Sequence, residues 1–393
     1  MEMEFPISMS TNYSRYQYGH LIFNGDSVSN PPLKNPKYSP TNSRISPLPE
    51  KLSPIILELL RASPNKKKRK SRSSSGIVET NKGIFEAAVK KSSTAVTHRN
   101  KRVRKSSSWV KSRLLGKGAY GSVYLATSQD QKTERAIKTA EFSRASSLID
   151  EGRILRRLQS AFVIRCYGDE TLREGSERHY NLVLEYCSGK SIADLIEDNQ
   201  GGLSEFDVKL FATDVLSGLR HVHDKNIIHC DIKPDNLLLA PVDPVDHKMR
   251  SNGYLTKIAD FGLAMEKGST EYGNGSGHMR GTTRYMAPEI MRSGIVDYGV
   301  DIWAFGCTVL EMLTGSVVWG EHGNLGFDDW VNLIGHSDLI PCIPTWLSEE
   351  AQDFLKRCLV KEPGSRWEID ALTYHPFLNS EVLLLSHNGF VYD

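Results

Sequence analysis

His229-Cys-Asp-Ile-Lys-Pro-Asp-Asn236, followed further along the chain by Asp260-Phe-Gly262, is the stretch that decides how this sequence folds. The Asp231 carboxylate can accept a hydroxyl proton, and the Lys233 ammonium can offset charge on a migrating phosphoryl group. The oxygen atoms of Asn236 and Asp260 suit a metal ion such as magnesium. Any single aspartate in such a run would usually be a turn residue, but the whole pattern favours a site for phosphoryl transfer.

The composition is that of a soluble globular protein, with 393 residues of which 39% are hydrophobic and 24% charged. No apolar run is long enough for a membrane span, and the N-terminus lacks the layout of a secretion signal. We therefore expect neither a membrane partner nor secretion. The six cysteines form no Cys-x-x-Cys pair and no zinc-type cluster, which predicts free thiols in a reducing compartment.

The small net charge of +2 hides an asymmetry between two parts of the chain. Residues 1–108 hold 20 Lys and Arg but 7 Asp and Glu, for a net charge of +13, whereas the remainder carries −11. The first part is rich in Ser, Pro and Asn without sustained periodicity, so we predict a disordered basic extension. Residues 109–378 are predicted to fold as one domain, and 379–393 to form a short tail.

Within the predicted domain, strand signals come before helix signals. Runs rich in β-branched residues predict strands at 121–127, 135–139 and 181–186. Longer runs with helical spacing predict helices at 205–223, 300–314 and 349–359. This order implies an α+β fold with a small β-rich N-terminal lobe and a larger helical C-terminal lobe.

The run Gly116-Lys-Gly118-Ala-Tyr-Gly121-Ser-Val123 has the glycine spacing that lets backbone N–H groups close over phosphates. Alone it is weak evidence, because dinucleotide-binding folds use the same spacing and an ordinary glycine-rich hairpin would also contain it. Here it lies between strand-like segments and no helix follows it. That context favours a phosphate-covering hairpin.

Lys138, in the run Ala136-Ile-Lys138, lies on the next predicted strand and needs an acidic partner. Asp150 and Glu151 are the two candidates on the following helix pattern. Glu151 shares one helix face with three apolar residues and Asp150 falls beside that face, so we expect Glu151 to reach Lys138. The alternative is an exposed pair with a nearby arginine, which would contribute little. The apolar residues of the face are Leu148, Leu155 and Leu158.

With Gly281-Thr-Thr-Arg-Tyr-Met-Ala-Pro-Glu289 closing the segment that Asp260 opens, residues 109–378 resemble the eukaryotic protein kinase superfamily. Lys233 and the Gly281-Thr282 pair resemble serine/threonine rather than tyrosine kinases. A narrower resemblance, to plant MAP kinase kinase kinases of the MEKK type, rests on residues 142–158, 229–236 and 281–289. It implies a bilobal fold, ATP and Mg²⁺ as cofactors, and phosphorylation of a MAP kinase kinase in a stress or hormone signalling cascade.

The resemblance also implies a role for each matching residue. Asp231 and Lys233 would be catalytic, and Asn236 and Asp260 would hold the metal. The implied ATP-binding residues are Leu115, Gly116, Lys117, Gly118, Ala119, Tyr120, Gly121, Ser122, Val123, Ala136, Lys138, Glu151, Leu184, Glu185 and Cys187. The implied activation-segment residues are Ser269, Thr270, Ser276, Thr282 and Thr283. Structural roles are implied for Asp301, which would brace the catalytic loop, and for Glu289 paired with Arg366.

Two features depart from the family pattern. Most members carry arginine before the catalytic aspartate, where it receives a phosphorylated activation loop. This chain has Cys230, which cannot form a charge-assisted pair with phosphate. We therefore hypothesise that basal activity does not strictly require phosphate on the activation loop. The polar, proline-containing stretch 240–253 lengthens the connection to Asp260 and is predicted to be an exposed excursion without an assigned function.

The basic runs 66–72 and 99–105 leave three interpretations open. They could be solvated chain, a nuclear-import signal, or a docking arm for an acidic partner or nucleic acid, so we expect a cytoplasmic or nuclear protein or both. Neither run contains an aromatic residue for stacking, so a nucleic-acid partner is not expected. Two alternatives to the main function also remain open: a kinase-like scaffold without catalysis, and a serine/threonine kinase outside the MAP kinase cascade.

Overall fold

The computed structural model describes residues 108–118, 121–242, 252–269 and 280–379. The predicted extension up to residue 107 with its basic runs, and the tail from residue 380, lie outside these ranges. So do residues 243–251 of the predicted excursion, together with four predicted site residues: Ala119, Tyr120, Thr270 and Ser276. No helix in the described ranges is long and apolar enough to cross a membrane.

The N-terminal part is a five-stranded antiparallel sheet in the order β1-β2-β3-β5-β4. Its central strand β3 has residues with 8% exposure or less on successive positions, Ala136 to Thr139, so both faces of the sheet are covered there. Ile137 packs in a small cluster on one face, whereas Ala136 joins the main core. The strands are β1 Trp109–Gly118, β2 Gly121–Ser128, β3 Glu134–Glu141, β4 Cys166–Glu174 and β5 Glu177–Leu184.

The predicted strand at 181–186 ends two residues earlier than expected. Leu184 still pairs with Ala136 and Cys166, but the next N–H, that of Glu185, donates to the Arg165 carbonyl at 2.8 Å. The chain therefore leaves the sheet at Glu185 although Tyr186 and Cys187 are good strand formers. This departure releases backbone groups of 185–187 from the ladder.

The C-terminal part is helical and is organised around one buried helix, α5. Residues 300–313 of α5 are all buried, as expected for a helix that is apolar on every side. Asp297 caps its first turn, and Gly315, at φ +69°, ends it in the left-handed conformation that glycine adopts readily. The predicted helices at 205–223, 300–314 and 349–359 agree with α3, α5 and α7 within two residues.

Of the eight α-helices in the described ranges, four have an N-terminal capping side chain, which Ser191, Ser204, Asp297 and Ser348 supply, and two end at a left-handed glycine, Gly294 or Gly315. The eight helices are α1 Ser146–Leu155, α2 Ile192–Asp198, α3 Glu205–Asp224, α4 Pro288–Ser293, α5 Tyr298–Thr314, α6 Phe327–Trp330, α7 Glu349–Cys358 and α8 Ile369–Thr373. A π-helical turn, Val331–His336, continues α6.

Two small antiparallel pairs hold the segments that carry the predicted site. Strand β6 (Ile227–Ile228) pairs with β9 (Met265–Glu266), and β7 (Leu237–Pro241) pairs with β8 (Tyr254–Ile258). Residues 229–236 connect β6 to β7, and residues 259–264 connect β8 to β9. The N–H of Ala259 donates to the Asn236 carbonyl at 2.9 Å, so the two connections lie side by side.

Candidate active site

Lys138 lies between two carboxylates that come from distant parts of the chain. Its Nζ is 2.7 Å from Glu151 Oε2 and 2.9 Å from Asp260 Oδ1. Burial alone would lower the pKa of Lys138, but the Asp260 and Glu151 carboxylates outweigh it and raise the pKa. Burial raises the pKa of Glu151 to about 7, while Lys138 opposes that shift and Asp260 adds to it. Lys138 is therefore held as a cation between the sheet and the segment after β8.

The choice between Asp150 and Glu151 follows the helix face, as the spacing predicts. Glu151 is 1% exposed, and the three apolar residues of its face are equally buried. Asp150 points away and pairs with Arg153 at 2.7 Å in an exposed i,i+3 pair. The weak surface pair considered as an alternative therefore exists, but it involves the neighbouring carboxylate.

The Asp231 carboxylate is buried and oriented by three neighbours. Its Oδ1 accepts the Thr282 N–H at 2.9 Å and the Thr282 hydroxyl at 2.7 Å. Its Oδ2 accepts Asn236 Nδ2 at 2.9 Å and lies 3.2 Å from Lys233 Nζ. Lys233 also donates to the Thr282 hydroxyl at 2.7 Å, so four predicted site residues form one hydrogen-bonded group.

Asp301 accepts hydrogen bonds from the backbone of the catalytic loop. Its carboxylate accepts the N–H groups of His229 and Cys230 at 2.9 and 2.8 Å and also contacts His223 Nε2 at 2.8 Å. The bracing role implied for Asp301 matches this geometry. The bonds also fix Cys230 at φ +66°, a conformation that costs a residue with a side chain some free energy.

His229 is packed in the interior and does not face the site. It is fully buried, its Nε2 lies 3.1 Å from the Ala259 carbonyl, and its ring meets the Phe261 ring edge-on at 4.7 Å. Its Nδ1 accepts the Asp231 N–H at 3.2 Å. His229 and Phe261 therefore join the catalytic loop to the segment that carries Asp260.

The oxygen atoms of Asn236 and Asp260 fit a divalent metal carried on phosphate. The Asn236 amide nitrogen donates to the Asp231 carbonyl and carboxylate, which leaves the amide oxygen as the acceptor. Asp260, at φ +60°, accepts Lys138 and the Gly262 N–H on Oδ1. In the described ranges no group of three or more acidic, His or Cys side chains forms a metal cage. A metal with one or two protein ligands and phosphate oxygens needs none.

The glycine run forms a hairpin, not a turn into a helix. Gly118 pairs with Gly121 across β1 and β2, with Lys117 opposite Ser122 and Gly116 opposite Val123. Gly121 has φ +134°, and a Cβ there would lie 2.2 Å from the Thr139 carbonyl oxygen, so only glycine fits. Leu115 is exposed at the start of the run, and Val123 packs on the core.

Residues 184–187 include three of the ATP-binding residues that the resemblance implies: Leu184, Glu185 and Cys187. Leu184 is buried. In the described part of the chain, neither the Glu185 carbonyl nor the Cys187 N–H has a hydrogen-bond partner. An adenine edge offers a matching donor and acceptor. Burial raises the pKa of the Cys187 thiol to about 12, so this side chain is an apolar wall rather than a nucleophile.

The remaining predicted residues lie in two places: Ser269, Thr283 and Glu289 between β9 and α5, and Arg366 between α7 and α8. Ser269 is partly buried just after β9, and Thr283 begins a 3₁₀ turn. Arg366 forms a bidentate pair with Glu289, at 2.7 and 3.1 Å, with both side chains buried. The predicted pairing is therefore present.

Two contacts near the site were not predicted from the sequence. Lys257 on β8 pairs with the Glu185 carboxylate at 3.2 Å. Arg284 donates to the carbonyls of Val318 and Gly323, at 3.1 and 2.9 Å, and lies over the Trp330 ring. Neither contact has a local sequence signal, because the partners are more than 30 residues apart.

Comparison with known proteins defines the family. The protein kinase domain model matches residues 109–378. The chain is 38% identical over 281 residues to mitogen-activated protein kinase kinase kinase 20 of Arabidopsis thaliana, covering 70% of this chain and 79% of that protein. It is 35% identical over 277 residues to mitogen-activated protein kinase kinase kinase 17 of the same species, covering 70% of each chain. Its identity to mitogen-activated protein kinase kinase kinase 18, also of Arabidopsis thaliana, is 37% over 281 residues, covering 69% of this chain and 77% of that protein.

The chain therefore belongs to the protein kinase family, and it uses ATP and a divalent metal. Within that family it is a serine/threonine kinase of the plant MEKK type, the type of the MAP kinase kinase kinases.

Proposed function

We propose that this kinase transfers the γ-phosphoryl group of ATP to a serine or threonine of a MAP kinase kinase, in a stress or hormone signalling cascade. The names of the relatives support the substrate class. The observation that carries the chemistry is the group formed by Asp231, Lys233 and Thr282, in which one buried carboxylate is fixed by donors on both oxygens.

The chain supplies positioning and charge. Asp231 accepts the proton of the substrate hydroxyl, because its carboxylate is oriented by Thr282 and Asn236. Lys233, 3.2 Å from Asp231, stabilises negative charge on the transferring group. Lys138, fixed by Glu151, binds the α- and β-phosphates.

The metal in this proposal is Mg²⁺, which prefers oxygen ligands and phosphate oxygens. Asn236 and Asp260 would hold it, as the donor set described above allows. When bound, it neutralises charge on the phosphates. The adenine would take the two open backbone groups of Glu185 and Cys187.

We further propose that the active arrangement does not depend on a phosphorylated activation loop. Cys230 occupies the position of the family arginine, and its own side chain cannot form a charge-assisted pair with phosphate. The end of the activation segment is attached to the catalytic loop in another way. Thr282 bonds directly to Asp231, and Gly281, at φ +122°, packs so closely on the Cys230 carbonyl that a Cβ would lie 2.6 Å from it.

Two alternatives make different predictions. A catalytically silent scaffold would bind nucleotide without turnover, and the complete set of Lys138, Glu151, Asp231, Asn236 and Asp260 argues against it. A serine/threonine kinase outside the MAP kinase cascade would turn over ATP but leave MAP kinase kinases unmodified.

For the basic extension we propose nuclear import or docking to an acidic partner, with the protein in the cytoplasm, the nucleus or both. A fusion of residues 60–110 to a neutral reporter tests import. Nuclear accumulation of the reporter supports import, and a diffuse cytoplasmic signal rules import out.

The substrate class is tested by phosphosite mapping on a panel of purified MAP kinase kinases, with Asp231→Asn as the control. We expect new phosphoserine or phosphothreonine in their activation segments with the wild-type chain and none with the control. A panel that stays unmodified, while a generic protein acceptor is phosphorylated, would move this kinase outside the cascade.

A further inference from the structure

A partly buried ion pair, with the Glu185 side chain 23% exposed, joins the strand before Asp260 to the segment that would bind adenine. Lys257 lies on β8, three residues before Asp260, and its side chain is 10% exposed. Its Nζ is 3.2 Å from Glu185 Oε2, and Glu185 is the first residue after β5. In the described ranges, Glu185 is the only group that pairs with this ammonium.

The same carboxylate fixes a third segment, residues 162–165. Glu185 Oε2 accepts the Arg165 N–H at 3.1 Å, and the Glu185 N–H donates to the Arg165 carbonyl at 2.8 Å. These two bonds close a ring between the side chain and backbone of Glu185 and the backbone of Arg165. The direction of the Glu185 peptide is therefore coupled to its side chain.

Residues 162–165 are in turn attached to β8. The Ile164 N–H donates to the Ile258 carbonyl, and the Ile258 N–H donates to the Phe162 carbonyl, each at 2.9 Å. Ile258 thus bonds to this short segment through its backbone, and Lys257 acts on it through the Glu185 carboxylate. This segment follows α1, the helix that carries Glu151.

The pair also lies beside Cys187, the second residue with an open backbone group. The Glu185 carboxylate and the Lys257 ammonium both act on the Cys187 thiol, the first raising its pKa and the second lowering it, after the larger effect of burial. Both charges therefore lie close to the backbone that would meet adenine.

We infer that Lys257 is a positioning residue of the nucleotide site: by pairing with the Glu185 carboxylate, it holds the Glu185 carbonyl and the Cys187 N–H in register for the adenine edge. Lys257 does not touch ATP in this account. Its effect is transmitted by Glu185. Loss of the pair should therefore weaken nucleotide binding more than it slows phosphoryl transfer. The inference rests on the proposed nucleotide site but not on the proposed protein substrate.

Removing one partner of a partly buried pair leaves an uncompensated charge and would also destabilise the fold. The decisive variant therefore removes both charges, as Glu185→Gln with Lys257→Met, which retains an acceptor for the Arg165 N–H. The matched control is Asp198→Asn, which breaks the exposed Lys190–Asp198 pair (2.9 Å, both side chains 62% exposed) in the segment that follows.

The experiment measures the Kd of MgADP for the full-length chain by isothermal titration calorimetry, with thermal unfolding to establish that each variant is folded. It needs no phosphoacceptor, so a failed substrate assignment does not affect it. We expect the double variant to bind MgADP about 3- to 30-fold more weakly, the range for residues that act on a ligand through others. The single variant Lys257→Arg, which keeps the charge opposite Glu185, should bind MgADP within about twofold of wild type.

Steady-state kinetics on a generic acceptor protein distinguish positioning from a loss of structure. The KM for ATP should rise in the double variant while the KM for the acceptor stays unchanged. A folded double variant that binds MgADP as tightly as wild type and Asp198→Asn would overturn the inference. So would equal increases in both KM values.

Discussion

Thr282 donates both its backbone N–H and its hydroxyl to the same oxygen of Asp231, at 2.9 and 2.7 Å. These two hydrogen bonds from one residue connect the end of the activation segment to the carboxylate that would accept the substrate proton. Lys233 donates to the Thr282 hydroxyl as well, so the threonine is the hub between the two catalytic candidates. Orientation of Asp231 therefore depends on a hydroxyl, not on a phosphate.

Thr282→Val removes the hydroxyl and keeps the shape, so it should lower kcat by about tenfold to a hundredfold through misorientation of Asp231 and Lys233. Thr282→Ser keeps the hydroxyl and should retain most of the activity. Both are measured as initial rates of phosphate transfer at saturating MgATP. Equal activity of Val and Ser variants would contradict this role.

Replacing all four candidate phosphosites by alanine should leave basal activity largely intact. The sites are Ser269, Thr270, Ser276 and Thr283. The reason is that the Cys230 side chain cannot form a charge-assisted pair with phosphate, while Thr282 and Gly281 attach the segment directly. The rate of the quadruple variant is compared with wild type treated with phosphatase. Loss of activity in the variant would refute the hypothesis.

Activity should decline as pH falls through about 7. Burial raises the pKa of Glu151 to about 7, so its carboxylate is ionised above that pH and becomes protonated below it. Protonation removes the charge that fixes Lys138, 2.7 Å away. Activity is therefore lost on the acid side of the pH profile. The measurement is kcat/KM for ATP between pH 5.5 and 8.5.

Glu151→Gln provides the control for that profile. Glutamine cannot ionise, so the variant should be less active at pH 8 and should lack the acid limb. An identical acid limb in the variant would assign the titration to another group.

Gly121→Ala should destabilise the fold, because the residue has φ +134° and a Cβ would meet the Thr139 carbonyl. The backbone strain alone is worth about 1–3 kcal/mol of unfolding free energy. Gly116→Ala is the comparison, since nothing lies within 4 Å of a Cβ at that position. Urea unfolding measures both, and equal losses would contradict the account of Gly121.

Local spacing predicted the parts of the site that depend on one element. The helix face separated Glu151 from Asp150, and the glycine run between strand signals predicted a hairpin. The pairings of Asp301 and Arg366 required the family resemblance, because their partners lie far away in the sequence and no periodicity connects them. The three long helices were predicted because each has a sustained apolar face.

Other features had no signal that sequence reasoning could use. Strand β4 alternates exposed and half-buried residues and contains no apolar run, so its pattern is weak. The end of β5 is set by a hydrogen bond to Arg165, not by propensity. Lys257 has the sequence context of an ordinary strand lysine, whose amine would normally reach water; only the fold brings it to Glu185.

The Lys138, Asp231 and Asp260 side chains and their partners are expected to form a working phosphoryl-transfer site. A labelled transfer assay tests this expectation. Purified full-length chain and Asp231→Asn are each given radiolabelled MgATP and a protein acceptor, and MgADP affinity is measured in parallel. The account predicts label on serine or threonine with wild type, a rate about 10²- to 10⁴-fold lower with Asp231→Asn, and equal nucleotide affinity. Wild-type protein that binds nucleotide but transfers no phosphate would contradict it.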